Sequence, residues 1–319
     1  MLVSIIIPVF NCQDWLTYAI SSAINQEKSN IEVIIINDGS TDNSLKVATN
    51  FISDKVKLFS QENRGASSAR NLGLKYSKGD YIQFLDGDDI LSESKIKKQI
   101  EILQNEGDNC VASGKFLEYY SFENTGEVYT NINKGLKNYE NPIDWLVESM
   151  WDRAMFPPVV WLTPRKLIEE AGPWNESLSY NDDTEFFARV LLKARKIVFC
   201  EDAISYYRRG VPTSLGSRKD RQARVSELES LNLVTSHMLN FEDSLRVREA
   251  CAYKYRKLIY SLYPDHRDLI EIAWQKLKEL NVKGDFNFGN GFTRKLGSVI
   301  GWKSAKLIQR NYRKIRGTF

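Results

Sequence analysis

Along the first 90 residues the apolar positions alternate between two rhythms. Continuous runs bounded by turn residues, "LVSIIIPV", "IEVIIIND", "VKLFSQ" and "YIQFL", predict four buried strands. The stretches between them have helical spacing. "DWLTYAISSAINQ" sets Trp15, Leu16, Ala19, Ile20, Ala23 and Ile24 on one face, with Asp14 placed as N-cap. "TDNSLKVATNFIS", with Asp42 near its cap, and "GASSARNLGLKYS" predict two more helices. Continuously apolar strands alternating with helices imply an α/β fold, a Rossmann-like, mostly parallel sheet flanked by helices on both faces.

Beyond residue 110 the pattern is mixed. Strands are expected near "CVASGKFLEYY", "EVYT", "PVVWLT", "KIVFC" and "AISYYRR", and helices at "PIDWLVESM", "PRKLIEEAG" and "DDTEFFARVLLKA". From about 217 onward only helical periodicity remains. This predicts a domain over residues 1–215 and a helical region over 216–319 that ends in a basic amphipathic helix.

In open parallel sheets, ligands bind beyond the carboxyl ends of the strands. Those ends carry Pro8, Val9, Phe10 and Asn11, then Asn37, Asp38 and Gly39, then Asn63, Arg64 and Gly65, and finally Asp86, Gly87 and Asp88. Every strand thus ends in polar or glycine-rich sequence on one rim. In "YIQFLDGDDIL", three carboxylates (Asp86, Asp88 and Asp89) crowd directly behind an apolar run, an arrangement that needs positive charge nearby. A hard divalent ion, Mn²⁺ or Mg²⁺, is one such partner, since these ions bind through one or two carboxylates plus phosphate oxygens. An Asp-x-Asp pattern alone is more often a solvated turn, and the three other polar strand ends tip the reading toward a site.

Composition narrows the chemistry. The 319 residues are 42% hydrophobic, enough for a main domain and an appendage. Cys12, Cys110, Cys200 and Cys251 are far apart and have no metal-ligand rhythm, which suits free thiols in a reducing cytoplasm. Only two histidines occur, His237 and His266, so carboxylates must carry any acid–base work. No leader is evident, and no run approaches the ~20 apolar residues that span a bilayer. Net charge is +3, but after Asp285 there is no acid against eight bases, and the remainder is mildly acidic, which argues against nucleic-acid binding.

"SIIIPVFN", "VIIINDGSTD", "NRGASSARN", "YIQFLDGDD" and "NDDTEFFARV" together resemble, in order and spacing, the family 2 glycosyltransferases of the GT-A fold, over roughly residues 3–215. The resemblance implies a nucleotide-sugar donor, UDP-sugar favoured, lying across the rim. Pro8, Val9 and Phe10 would border the base, Asp38 would hydrogen-bond it and Arg70 would line the cleft. Asp86 would reach the ribose or metal, and Asp88 would hold the ion against the diphosphate, as in a DXD motif. Asp38 can equally cap a turn, and Arg70 can pair with a surface acid.

In "SYNDDTEFFARV" the family usually has Glu-Asp, so Asp183 aligns as the base that deprotonates the acceptor hydroxyl, while Asp182 departs from the pattern. Acids also favour a helix N-terminus for dipole reasons. "YYRRGVPTSLGS" resembles the late Tyr-Arg loop, where Arg208 or Arg209 would meet the diphosphate and the loop would act as a mobile lid or remain ordinary surface. "FPPVVWLTP" and Trp174 fall where acceptor contacts are expected, although tryptophans are as often core residues.

The implied reaction is hexosyl or N-acetylhexosaminyl transfer with inversion to a glycan or lipid-linked glycan, as in polysaccharide biosynthesis. The alternatives are a haloacid-dehalogenase-type phosphatase, whose first aspartate usually lies on the first core strand, and a non-catalytic nucleotide-sugar-binding relative. A nicotinamide enzyme lacks its GxGxxG. A homodimer is allowed for. Over residues 303–316, Lys303, Lys306, Arg310, Arg313 and Lys314 share one side and Ala305, Leu307, Ile308, Tyr312 and Ile315 the other. This helix would either lie on anionic lipid, as a peripheral membrane contact, or pack its apolar face on the helical region.

Overall fold

The structure is a computed structural model describing residues 1–27, 30–107, 109–120, 134–210, 218–289 and 291–316. It divides into two compact units, Met1–Met238 and Leu239–Phe319. The expected boundary at 215/216 lies outside the described residues, as does the expected strand "EVYT".

The first unit begins with four strands, β1 (Val3–Val9), β2 (Ile31–Asp38), β3 (Val56–Gln61) and β4 (Tyr81–Phe84). Between them run α1 (Gln13–Ile24), α2 (Ser44–Thr49) and α3 (Ala66–Tyr76). All eight residues of β2 are buried, as expected for a strand covered on both faces. β1 pairs in parallel with β2 and β4, and β2 pairs in parallel with β3. After β4 come β5 (Ile90–Leu91), α4 (Lys95–Glu106), β6 (Cys110–Tyr119), α5 (Pro142–Met150), β7 (Leu162–Pro164), α6 (Arg165–Ala171), α7 (Asp182–Lys193) and β8 (Lys196–Arg208). The sheet order is β3-β2-β1-β4-β7-β6-β8-β5, with β7 antiparallel to both β4 and β6.

Several sequence expectations shift in the structure. Asp14 is not the N-cap of α1. The helix starts from Cys12, and Asp14 sits in its first turn. The strand expected at 158–163 begins later, because Pro157 and Pro158 fix their φ angles and bring no N–H, so Pro158–Val160 forms a 3₁₀ turn before β7. The two strands expected around Glu201 and Asp202 are one. β6 pairs Gly114 with Cys200 and Lys115 with Ile204, so residues 201–203 bulge out of the ladder, and Glu201 accepts from Lys115 Nζ of β6 at 2.7 Å. A Cβ at Gly114 would lie 2.3 Å from the Ala203 carbonyl oxygen, so the bulge requires glycine there.

α8 (Arg221–Phe241) crosses the unit boundary, and α9 (Leu245–Leu262), α10 (Arg267–Glu279), α11 (Gly291–Ile300) and α12 (Trp302–Arg316) build the second unit. Val247, Cys251, Tyr255, Leu258 and Ile259 of α9 and Leu269, Ala273 and Leu277 of α10 form its core. α11 and α12 make a hairpin at Gly301 (φ +82°), and Gly297 of α11 allows close approach, its Cβ position lying 3.5 Å from Trp302 Cα.

The face of α12 that turns inward is not the one the sequence pattern suggests. Lys306 donates to the Tyr260 and Ser261 carbonyls, and Arg310 Nη1 lies 2.8 Å from Asp265 Oδ1. Those carbonyls belong to the last turn of α9, where helix acceptors lack partners and cations are favoured. Ala305 is buried beside them, while Leu307, Ile308 and Tyr312 are exposed. Among the described residues no helix is long and apolar enough to cross a membrane.

Candidate active site

The parallel register brings the strand ends together, with Val9 opposite Asn37, Asp38 opposite Gln61 and Ile6 opposite Phe84. The chain runs outward from β1 to β2 and β3, then returns to place β4 on the other side of β1. A switch of this kind opens a crevice at the carboxyl ends. The turn after β4 fills it, closed by Asp89 N–H donating to the Asp86 carbonyl at 3.0 Å. Gly87 presses against β1's end, because a Cβ there would sit 2.7 Å from Cys12 Sγ and 3.4 Å from the Pro8 carbonyl oxygen.

Two arginines answer the crowded carboxylates. Arg70, on the second turn of α3, is 4% exposed and donates through Nη2 to Asp86 Oδ1 at 2.8 Å and through Nη1 to Asp182 Oδ2 at 3.0 Å. Its guanidinium lies 4.4 Å from the centroid of the Trp174 ring, which itself stacks on Phe186 at 4.0 Å. Burial alone would lower the Arg70 pKa, but Asp86 and Asp182 outweigh it and raise it. Arg208, the last residue of β8, donates through Nε to Asp88 Oδ2 at 3.2 Å and through its backbone N–H to Asp89 Oδ1 at 3.0 Å. It lies 3.9 Å over Trp15, whose ring meets Tyr119 edge-on, and Tyr119 donates its hydroxyl to the Asp88 carbonyl at 2.5 Å. The adjacent Arg209 instead pairs with Glu118.

The three carboxylates differ in environment. Asp86 and Asp88 keep partly open side chains, whereas Asp89 is fully buried and its Oδ2 has no hydrogen-bond partner. Burial, then the neighbouring Asp88 and Asp86, pushes the Asp89 carboxyl well up. Burial and Asp86 also push Asp88 up, against the pull of Arg208. Two accessible oxygen-ligand groups that repel one another suit a hard divalent ion sharing diphosphate oxygens. Among the described residues no group of three or more His, Cys, Asp or Glu is arranged to hold a metal ion.

Asp182 and Asp183 open α7, after Asn181 turns the chain with φ +56°. Asp182 Oδ2 accepts from both Ser67 Oγ at 2.7 Å and Arg70. Asp183 accepts only from Thr184 among the hydrogen bonds described. Burial and the charge of Asp182 push its carboxyl up to about 6, with Arg70 opposing. One turn on, Glu185 is buried between Arg189 and His237, and Arg189 donates to the Ala171, Gly172 and Pro173 carbonyls, anchoring the strand of chain that delivers Trp174.

The other predicted residues take varied places. Asp38 is buried and accepts from Gln61 Nε2, Arg64 N–H and Gly65 N–H, so it ties β2 to the α3 loop and keeps one Oδ2 lone pair for a ligand. Phe10 is exposed at the rim, whereas the Val9 side chain is in the core. Asn11, with φ +49°, accepts from Thr41 and Asp42 N–H groups and shapes the neighbouring loop. Trp161 and Trp174 are buried in an aromatic cluster, so neither offers a face to a sugar, and Trp174 instead supports Arg70. Residues 211–217, the expected lid, lie outside the described residues. Sequence reasoning missed Trp15, Tyr119 and Ser67. Only Ser67 left a signal, its i,i+3 spacing from Arg70 on one helix face.

Residues 4–211 match the family model described as glycosyl transferase family 2. A Haemophilus influenzae protein described as an uncharacterized glycosyltransferase is 47% identical over 108 residues, covering 33% of this chain and 43% of its own length. The chain thus spans less than half of that relative. Glycosyltransferase GlyG of Streptococcus pneumoniae is 31% identical over 219 residues, covering 65% of this chain and 71% of its own. In fold, the chain is similar to the crystal structure of S. aureus TarS 1–349 in complex with UDP-GlcNAc, with a TM-score of 0.72 at 17% identity, covering 88% of this chain and 81% of that one. The phosphatase alternative has no footing beside a match of this extent.

Proposed function

This chain belongs to glycosyl transferase family 2, and we propose that it moves a hexosyl or N-acetylhexosaminyl unit from a UDP-sugar to a hydroxyl of a glycan or lipid-linked glycan, with inversion at the anomeric carbon. The observation that carries this reading is the division of labour at α7. Ser67 and Arg70 occupy Asp182, while Asp183 stands beside it with its carboxyl near 6, deprotonated at neutral pH yet basic enough to take a proton. That the TarS structure carries UDP-GlcNAc supports a uridine donor.

In this reading the uracil lies by Pro8 and Phe10, with Asp38 accepting its imide N–H. Asp88 together with Asp86 would hold Mn²⁺ or Mg²⁺, which when bound supplies positive charge to the diphosphate. Asp183 removes the acceptor hydroxyl proton as that oxygen attacks the anomeric carbon. The bond from that carbon to the diphosphate oxygen breaks, and UDP departs with the electron pair. Arg208 exchanges Asp88 for phosphate oxygens and offsets the charge that develops there. With Asp182 held by Ser67 and Arg70, and Asp86 and Asp88 given to the ion and the diphosphate, Asp183 is left as the base for a single, inverting displacement. A merely sugar-binding relative would bind the UDP-sugar without acceptor-dependent release of UDP. The separated free thiols fit a reducing compartment, and we place the protein on the cytoplasmic side.

The test is UDP release from a panel of UDP-sugars with mixed glycan acceptors, wild type against Asp183→Asn. Acceptor-dependent release by wild type and its loss in the variant support the reading, and equal release by both contradicts it.

A further inference from the structure

We propose that the α11–α12 hairpin is a docking surface for an anionic lipid bilayer, with its outward apolar side chains seated at the headgroup–acyl boundary. The inference is independent of the donor reading above.

The hairpin separates its two sides clearly. Trp302, Ala305, Lys306, Gln309 and Arg310 follow the 3,4 spacing of an inward seam, and each is buried or half-buried. The opposite side of α12 exposes Leu307 (37%) and Ile308 (47%), Tyr312 (53%) is exposed at the flank of the seam, and α11 adds Phe292 (73%), Val299 (81%) and Ile300 (42%). A lone exposed apolar residue is ordinary, but six within residues 292–312, on two helices packed together, are not. Arg294, Lys295 and Lys303 are exposed among them, and no acid follows Asp285.

This revises the contact expected from the sequence. Lys306 and Arg310 cannot serve as lipid anchors while they hold the α9 carbonyls and Asp265. The insertion is led by apolar residues, and the remaining exposed bases supply attraction to anionic headgroups. Charge also decides against a second copy of this chain as occupant, because self-association through this face would oppose two acid-free, basic surfaces.

The experiment is co-sedimentation of the full chain with phosphatidylglycerol/phosphatidylcholine vesicles and with phosphatidylcholine alone, for wild type and for Val299→Asp/Leu307→Asp, both outward positions. Expected are binding by wild type to the anionic vesicles, weakening with added salt, and a loss of about tenfold or more in the variant with its circular dichroism unchanged. A Phe292→Trp variant, otherwise wild type, should shift its emission to the blue on adding anionic vesicles, which keeps the test sharp if the double variant misfolds. The proposal is overturned if wild type does not sediment, if it sediments equally with the neutral vesicles, or if the folded variant binds as wild type does. It is equally overturned if the two substitutions turn a lipid-indifferent dimer into a monomer.

Discussion

Arg208 Nε lies 3.2 Å from Asp88 Oδ2, and the same guanidinium is laid 3.9 Å over the ring of Trp15. The arginine therefore neutralises a carboxylate of the turn after β4 while an aromatic face holds it flat, an arrangement suited to presenting its remaining donors to a planar or tetrahedral anion. Arg208→Lys should keep the charge but lose the fork and the stacking. We expect kcat for UDP-sugar to fall about 10²-fold, the scale for removing one oxyanion donor, with melting temperature nearly unchanged. Steady-state kinetics on the purified variant checks this, and wild-type kcat would remove Arg208 from the leaving-group role.

Asp183→Asn should lower kcat by about 10³-fold while UDP affinity stays close to wild type, because the amide cannot accept the proton but fills the same space. The pH dependence follows from the raised carboxyl. Below about 6 Asp183 is protonated and cannot act as a base, so log kcat should climb with unit slope up to that pH and then level off. A flat profile between pH 5 and 8, an interval of the kind that brackets a carboxyl tuned this way, would contradict the assignment.

Arg70 opposes the rise in the Asp183 pKa and clamps Asp86 and Asp182. Arg70→Met leaves both carboxylates without their partner in a mostly enclosed place, so stability should fall by about 3 kcal/mol. In whatever folded fraction remains, the acid limb of the pH profile should move upward, since the charge that favoured ionised Asp183 is gone. Denaturant titration and the pH–rate curve read the two effects separately.

Gly87→Ala puts a methyl carbon against Cys12 Sγ at the base of the turn. Nucleotide affinity should drop about tenfold as the carboxylates shift, a loss typical of displacing a positioned group. The double variant Gly87→Ala/Cys12→Ala removes the sulfur and should recover most of the loss. Calorimetry with UDP on the four proteins of this cycle measures the coupling.

Much of this was legible in the chain. β1 to β4 could be read because short, largely apolar runs end in turn residues. The carboxylate turn, Arg70 and Asp183 stood in motifs whose order resembled a known family. Other features were hidden for definable reasons. β5 has two residues and carries no period. Proline delayed β7. The contacts of Trp15 with Arg208 and of Tyr119 with Asp88 join residues that only the folded sheet brings together. The pattern of α12 showed two faces but could not say which one turned inward, because the α9 carbonyls that receive Lys306 are a tertiary feature. Tryptophans 161 and 174 looked available for sugar and are core, since aromatic residues carry no mark of which environment they enter.

The most direct test of the carboxylate rim as the donor site is isothermal titration of UDP into the protein with Mn²⁺ or with EDTA, for wild type and Asp88→Asn. The account predicts that Mn²⁺ tightens UDP binding at least about tenfold in wild type and that this gain vanishes in Asp88→Asn. Equal affinity with Mn²⁺ and with EDTA in wild type, or the same gain in both proteins, would contradict it.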